Sequence, residues 1–148
     1  MENAPFHILL ADDDADDRHL FVKAFSELKI KTIVHTVNDG VQLMEYLTKK
    51  NAVLPHIIFL DLNMPLKNGL ECLNEIKSNK KLKDISIAIY STSASEKNIE
   101  ETFHNGANIY IHKPDNYISL KQVLGRAVMT CLDFQQPPFN KENFLLRI

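Results

Sequence analysis

The sequence has almost no surplus of charge of either sign: 17 Lys and Arg stand against 19 Asp and Glu, a net charge of −2. No global basic field exists to hold a nucleic-acid backbone, so direct nucleic-acid binding is disfavoured. Cysteine is scarce. Cys72 and Cys131 share no short spacing, which argues against a disulfide framework or a zinc site and leaves both as core thiols. No run approaches the roughly 18 apolar residues of a membrane helix, and no charged-then-apolar leader pattern opens the chain. A cytoplasmic protein without a membrane role is the expectation. Low-complexity segments are missing too, as are repeats other than an alternation of strand-like and helix-like segments.

What is present suits one globular domain: 148 residues, 45% hydrophobic and 24% charged. Phe6 to Ala11 is an apolar run that stops at acids, as a buried parallel strand does at the edge of its sheet. Leu20, Phe21, Ala24, Phe25 and Leu28 then recur at helical spacing between about Asp14 and Leu28. Thr32 to Val37 is a second strand, and Asn38-Asp39-Gly40 breaks it and caps a helix carrying Val41, Met44 and Leu47. Ile57 to Leu60 is the most apolar strand and ends on Asp61. A loop with Pro65 and Gly69 leads from it to a helix bearing Leu70, Leu73 and Ile76. The basic stretch Lys77 to Lys83 reads as a solvated helix end and loop. Ile85 to Tyr90, Ser95 to Asn105, Ile109 to His112 and Ile118 to Leu132 complete the series as strand, helix, strand and helix. Five β–α units with right-handed crossovers predict a doubly wound parallel α/β sheet with helices on both faces.

In such sheets the functional residues gather at the carboxyl ends of the strands. Asp12 and Asp13 follow strand one, Asp61 ends strand three, Ser91 ends strand four and Lys113 ends strand five. Five acids occupy the six positions Asp12 to Asp17. Two carboxylates about 4 Å apart repel by roughly 4 kcal/mol at an effective dielectric near 20, so the cluster wants a cation. Oxygen ligands on a rigid sheet edge suit Mg²⁺, which takes one or two carboxylates and keeps several waters. Asp14, Asp16 and Asp17 read instead as a helix cap and as partners of the helix dipole. Asp12 and Asp13 lie on the strand side of the break and are the metal candidates.

Asp61-Leu62-Asn63-Met64-Pro65 sets a carboxylate on a stiff turn, with Asn63 placed to complete a metal site. A carboxylate can attack phosphorus when a metal and fixed cations absorb the charge, and Lys113 supplies the fixed cation. Ser95 is the better cap for the fourth helix, which frees Ser91 to hydrogen-bond a phosphoryl oxygen. Pro114 restricts Lys113 to an extended conformation, and Lys113-Pro114 is a candidate cis peptide. The six histidines lack ligand spacing and are assigned no role.

With these residues in order, the chain resembles the receiver domain of two-component response regulators from about Phe6 to Leu132. The motifs that carry the resemblance are Asp12-Asp13, Asp61 with Asn63-Met64-Pro65 and Gly69, Ser91-Thr92, Gly106-Ala107, Tyr110 and Lys113-Pro114. The resemblance implies a flavodoxin-like five-stranded sheet of order 2-1-3-4-5, an order that general fold rules already illustrate with the chemotaxis regulator. It implies a regulatory domain rather than an enzyme, a phosphorelay component acting only on its own phosphorylation and dephosphorylation. Asp61 would accept a phosphoryl group from a histidine kinase or phosphotransfer protein. Asp13, Asp61 and the Asn63 carbonyl would bind Mg²⁺, with Asp12 acting partly through water. Ser91 and Lys113 would contact the phosphoryl oxygens. Tyr110 would change rotamer as Ser91 moves, altering the face of helix four, strand five and helix five for a downstream protein or a homodimer.

The domain is expected over residues 1–133 with no output domain after it. The apolar extension 134–148, with Phe144, Leu145, Leu146 and Ile148, is expected to pack on the domain or at an interface. A Mg²⁺-dependent phosphatase with an Asp nucleophile on a similar fold is the competing reading. That family expects a second Asp where Asn63 stands. A flavin-binding module is disfavoured because five acids after strand one would repel the flavin phosphate.

Overall fold

The protein, seen in a computed structural model, is described over residues 4–133 and 144–146. Strands β1 (Phe6–Ala11), β2 (Thr32–Val37), β3 (Ile57–Leu60), β4 (Ser86–Ser91) and β5 (Ile109–His112) pair in parallel in the order β2-β1-β3-β4-β5. They alternate with helices α1 (Ala15–Glu27), α2 (Gly40–Thr48), α3 (Gly69–Ser78), α4 (Glu96–His104) and α5 (Tyr117–Asp133). This is the doubly wound, flavodoxin-like sheet expected from the alternation of apolar runs.

Both faces of the sheet are covered, which is why the central strands are apolar at every position rather than at alternate ones. Ile57, Ile58, Phe59 and Leu60 are all fully buried. Leu9, Ile58, Leu60, Ile87 and Ile89 face the apolar stripes of α2 and α3, including Leu43, Leu73 and Ile76. Ile8, Leu10 and Phe59 face α1 and α5 through Phe21, Phe25, Val123 and Leu124. Phe21 meets Phe25 and Phe59 edge-on, each at 5.0 Å, an arrangement that adds to the area the rings bury.

The helices start where polar side chains can satisfy their first free N–H groups. Asp14 accepts from Asp17 N at 3.0 Å, Asp39 from Gln42 N at 2.8 Å and Ser95 from Asn98 N at 3.1 Å. Asn68 and Glu71 form a reciprocal capping box at the start of α3. Asp14, Asp39 and Ser95 each sit a few residues past the carboxyl end of a strand, so capping helps to fix the loops at that edge.

Several local expectations change. The fourth strand runs Ser86–Ser91, one residue later than the apolar run suggested, because Ile85 donates its N–H to Leu82 instead of to the ladder. Lys77 is not simply solvated: its ammonium donates to the carbonyls of Lys83 (3.1 Å) and Ile85 (3.4 Å), and burial lowers its pKa. Cys72 is buried, its thiol pushed up to about 11 by burial, but Cys131 is only partly buried, with Sγ 3.4 Å from Ser86 Oγ. No peptide bond among the described residues is cis, so Lys113-Pro114 is trans. The extension expected over 134–148 falls mostly outside the described residues; Phe144, Leu145 and Leu146 lie against the sheet.

Candidate functional site

The parallel arrangement delivers the ends of β1, β3, β4 and β5 to one edge, and with them the polar residues that follow each strand. Asp12 is fully buried, Asp61 is 5% exposed and Ser91 is fully buried, whereas Asp13 and Asn63 face solvent. Lys113 reaches across the edge. Its Nζ lies 2.8 Å from Asp12 Oδ2, 2.9 Å from Asp17 Oδ2 and 3.4 Å from Asp61 Oδ2.

Each carboxylate is oriented from behind. Asp12 Oδ1 accepts the Asp14 N–H at 2.9 Å, and the Asp12 carbonyl accepts Arg18 Nη1 at 2.8 Å. Asp61 Oδ1 accepts the Asn63 N–H at 3.3 Å, so the turn after β3 closes on its own side chain. The Lys113 N–H donates to the Ser91 carbonyl at 2.8 Å, which ties the end of β5 to the end of β4. The Lys113 ammonium also sits 5.2 Å from the centre of the buried Tyr90 ring.

Burial and crowding set the electrostatics. Burial raises the pKa of Asp61 to about 6, assisted by Asp12 and opposed by Lys113. Asp12 is raised for the same first reason, with Lys113 and the Asp14 N–H pulling against it. Lys113 is pushed upward by its carboxylate partners, which outweigh its own desolvation. A buried cation surrounded by three carboxylates leaves this edge short of positive charge.

The donor set fits a hard divalent cation. One carboxylate oxygen each from Asp12, Asp13 and Asp61 can be taken so that all lie within 4.8 Å of one another. Asp12 Oδ2 is buried, and its partner is the Lys113 ammonium at 2.8 Å, which it shares with Asp17 and Asp61. Two buried carboxylates that share one ammonium, with the exposed Asp13 beside them, form an oxygen set that a hard divalent ion would join.

Gly69 holds the nearby loop tight. A Cβ there would lie 2.2 Å from the Asp61 carbonyl oxygen and 2.8 Å from Leu62 Cα. Both are backbone atoms with no flexible end to swing away. Gly69→Ala is therefore expected to cost roughly 1–3 kcal/mol, the usual range for overpacking, in urea unfolding. An unchanged midpoint would show that α3 shifts without strain.

Tyr110 is fully buried, and its hydroxyl donates to the Ser93 carbonyl. The Ser93 N–H donates to Ser91 Oγ at 3.1 Å, so Ser91 and Tyr110 are joined through one residue. Asp17 is the residue that sequence reading placed elsewhere. Its position in the first turn of α1 explained it as a dipole partner, yet its carboxylate is on Lys113. The missed signal was spacing: Asp17 falls about one turn after the Asp14 cap, on the side that faces the sheet edge.

The sequence matches the family described as the response regulator receiver domain over residues 8–124. Response regulator Rcp1 of Synechocystis is 36% identical over 131 residues, which cover 83% of this chain and 87% of Rcp1. Probable methanogenesis regulatory protein FilR2 of Methanothrix harundinacea is 30% identical over 123 residues, 81% of this chain and 79% of the relative. Among solved structures, the phosphorylated cyanobacterial phytochrome response regulator RcpA superposes with a TM-score of 0.81 at 36% identity, covering 87% of this chain and 95% of RcpA. The Mn²⁺-bound form of Rcp1 gives 0.80 at 30% identity, covering 90% of this chain and 99% of that one. With its sheet order, its buried acidic edge and these likenesses in agreement, the chain belongs to the response regulator receiver domain family of two-component signalling.

Proposed function

We propose that this chain is a phosphorelay switch that accepts a phosphoryl group on Asp61 from a histidine kinase or phosphotransfer protein. The observation that carries the reading is the placement of Asp61 within reach of Lys113 and of the Asp12–Asp13 pair on one sheet edge. Asp61 Oδ2 would attack the phosphorus of a phosphohistidine. The P–N bond breaks as the P–O bond forms, and the imidazole leaves with a proton. Mg²⁺, held by Asp12, Asp13, Asp61 and the Asn63 carbonyl, would neutralise charge on the transferring oxygens. Lys113 supplies a second, fixed positive charge. The Ser91 hydroxyl, now accepting from Ser93, would turn to donate to a phosphoryl oxygen.

The protein acts on this reading as a regulator and catalyses only its own loading and unloading. The exposed Asn63 stands where an Asp-nucleophile phosphatase would need its second acid, and an amide cannot deliver a proton to a leaving group. The output is a change of the surface around β5 that a downstream protein reads. Treatment with acetyl phosphate and Mg²⁺ is expected to add one phosphoryl group to the wild type and none to Asp61→Asn by intact-mass spectrometry. Full modification of the variant would remove Asp61 from the mechanism.

A further inference from the structure

β5 is the last strand in the sheet order, so its outer edge has backbone groups free to pair. The segment 144–146 takes that edge. Leu145 forms a parallel bridge with Tyr110, and the Leu146 N–H donates to the Tyr110 carbonyl at 2.9 Å. Phe144 is 2% exposed, its ring 5.2 Å from Phe103 of α4 and 6.0 Å from Tyr110, tilted edge-on to both. Leu145 and Leu146 also line a groove of about 570 Å³ together with Ile99, Pro114 and Val123.

Phe144 thus has Tyr110 as one wall of its slot. Tyr110 is in turn anchored by its hydroxyl on the Ser93 carbonyl, Ser93 is held by Ser91 Oγ, and Asn98 Nδ2 donates to Ser93 Oγ at 2.6 Å. An unbroken path of packing and hydrogen bonds runs from the docked segment to the hydroxyl beside the acidic edge. A Tyr110 ring that left the core would take away both the slot wall and the Ser93 anchor.

We infer that residues 144–146 are an intramolecular ligand of the β5 edge whose docking is coupled, through the buried Tyr110 ring, to loading of Asp61. This rests on the phosphorelay reading and adds a regulatory element to it. The coupling is positive. A docked Phe144 holds Tyr110 inward, Tyr110 fixes the Ser91–Ser93 turn, and a turn already fixed loses less freedom when a phosphoryl group binds beside it.

The test titrates beryllofluoride into the full chain at saturating Mg²⁺, followed by fluorine NMR, for wild type, Phe144→Ala and Leu146→Pro. The first variant empties the slot; the second removes the N–H that pairs with Tyr110 together with the Leu146 side chain, so the two undo docking in different ways and a folding defect in one does not decide the outcome. Both are expected to weaken loading roughly three- to tenfold, and loading is expected to slow exchange of the Leu146 amide in the wild type by a similar factor, since coupling is reciprocal. Unchanged affinity in both variants with unchanged Leu146 exchange, while the wild type loads normally, would reduce the segment to a passive edge cover. A wild type that never loads would instead sink the phosphorelay reading, and this inference with it. Effects that grow with protein concentration alongside a dimer in sedimentation would assign the slot to a second copy of the chain and overturn the intramolecular assignment.

Discussion

Metal-free Asp61→Asn is expected to be more stable than the wild type at pH 7, by about 2–3 kcal/mol. The folded-state pKa of Asp61 is raised to about 6 from an ordinary carboxylate value of 3.8, chiefly by burial. A raised carboxylate pKa means that the native state binds the proton more tightly than the unfolded chain. Native stability therefore falls as pH climbs from about 4 to about 6 and stays lowered above that. An amide removes this penalty, so the two proteins should have similar urea midpoints near pH 4 and diverge toward neutrality. Added Mg²⁺ should narrow the gap by binding the wild-type native state. Equal midpoints at pH 4 and pH 7 would show that Lys113 already compensates the Asp61 charge in full.

Lys113→Ala should have the opposite sign and a larger size. The ammonium is the shared partner of Asp12, Asp17 and Asp61, and its side chain is only 9% exposed. Removing one member of a buried charge set costs about 3–5 kcal/mol because the charges left behind have no partner. The loss should be largest in metal-free protein at pH 7 and should shrink as Mg²⁺ is added or as acid protonates Asp61. Mg²⁺ affinity, read by calorimetry, should hold or improve because the ammonium no longer competes for the same oxygens. The rate of phosphoryl uptake from acetyl phosphate should fall. A parallel loss of Mg²⁺ affinity and uptake would instead make the lysine a structural post.

Much of this architecture was legible because the strands are buried on both faces. Ile57 to Leu60 is an uninterrupted apolar run, and such runs ending on Asp or Ser mark the sheet edge where the chemistry gathers. The caps Asp14, Asp39 and Ser95 were legible for a similar reason, since short polar side chains there serve the first free N–H groups. Asp17 was not, because a carboxylate in a first helical turn has a sufficient local explanation and its long-range partner lies 96 residues away. Lys77 misled in the same direction. A lysine in a basic run looks solvated until the fold brings the Ile85 carbonyl beneath its ammonium. Nor did the sequence disclose that Tyr110 would be walled by Phe144, a ring distant from it along the chain.

The edge that holds Asp12, Asp61 and Lys113 draws on β1, β3 and the residue after β5, so no fragment made early in synthesis contains it. A ribosome must release the chain beyond Lys113 before its ammonium can neutralise Asp12, and closing so long a loop is among the slower steps in building a parallel sheet. The charge pairing of this edge is therefore complete only in a chain that has been made through its fifth strand.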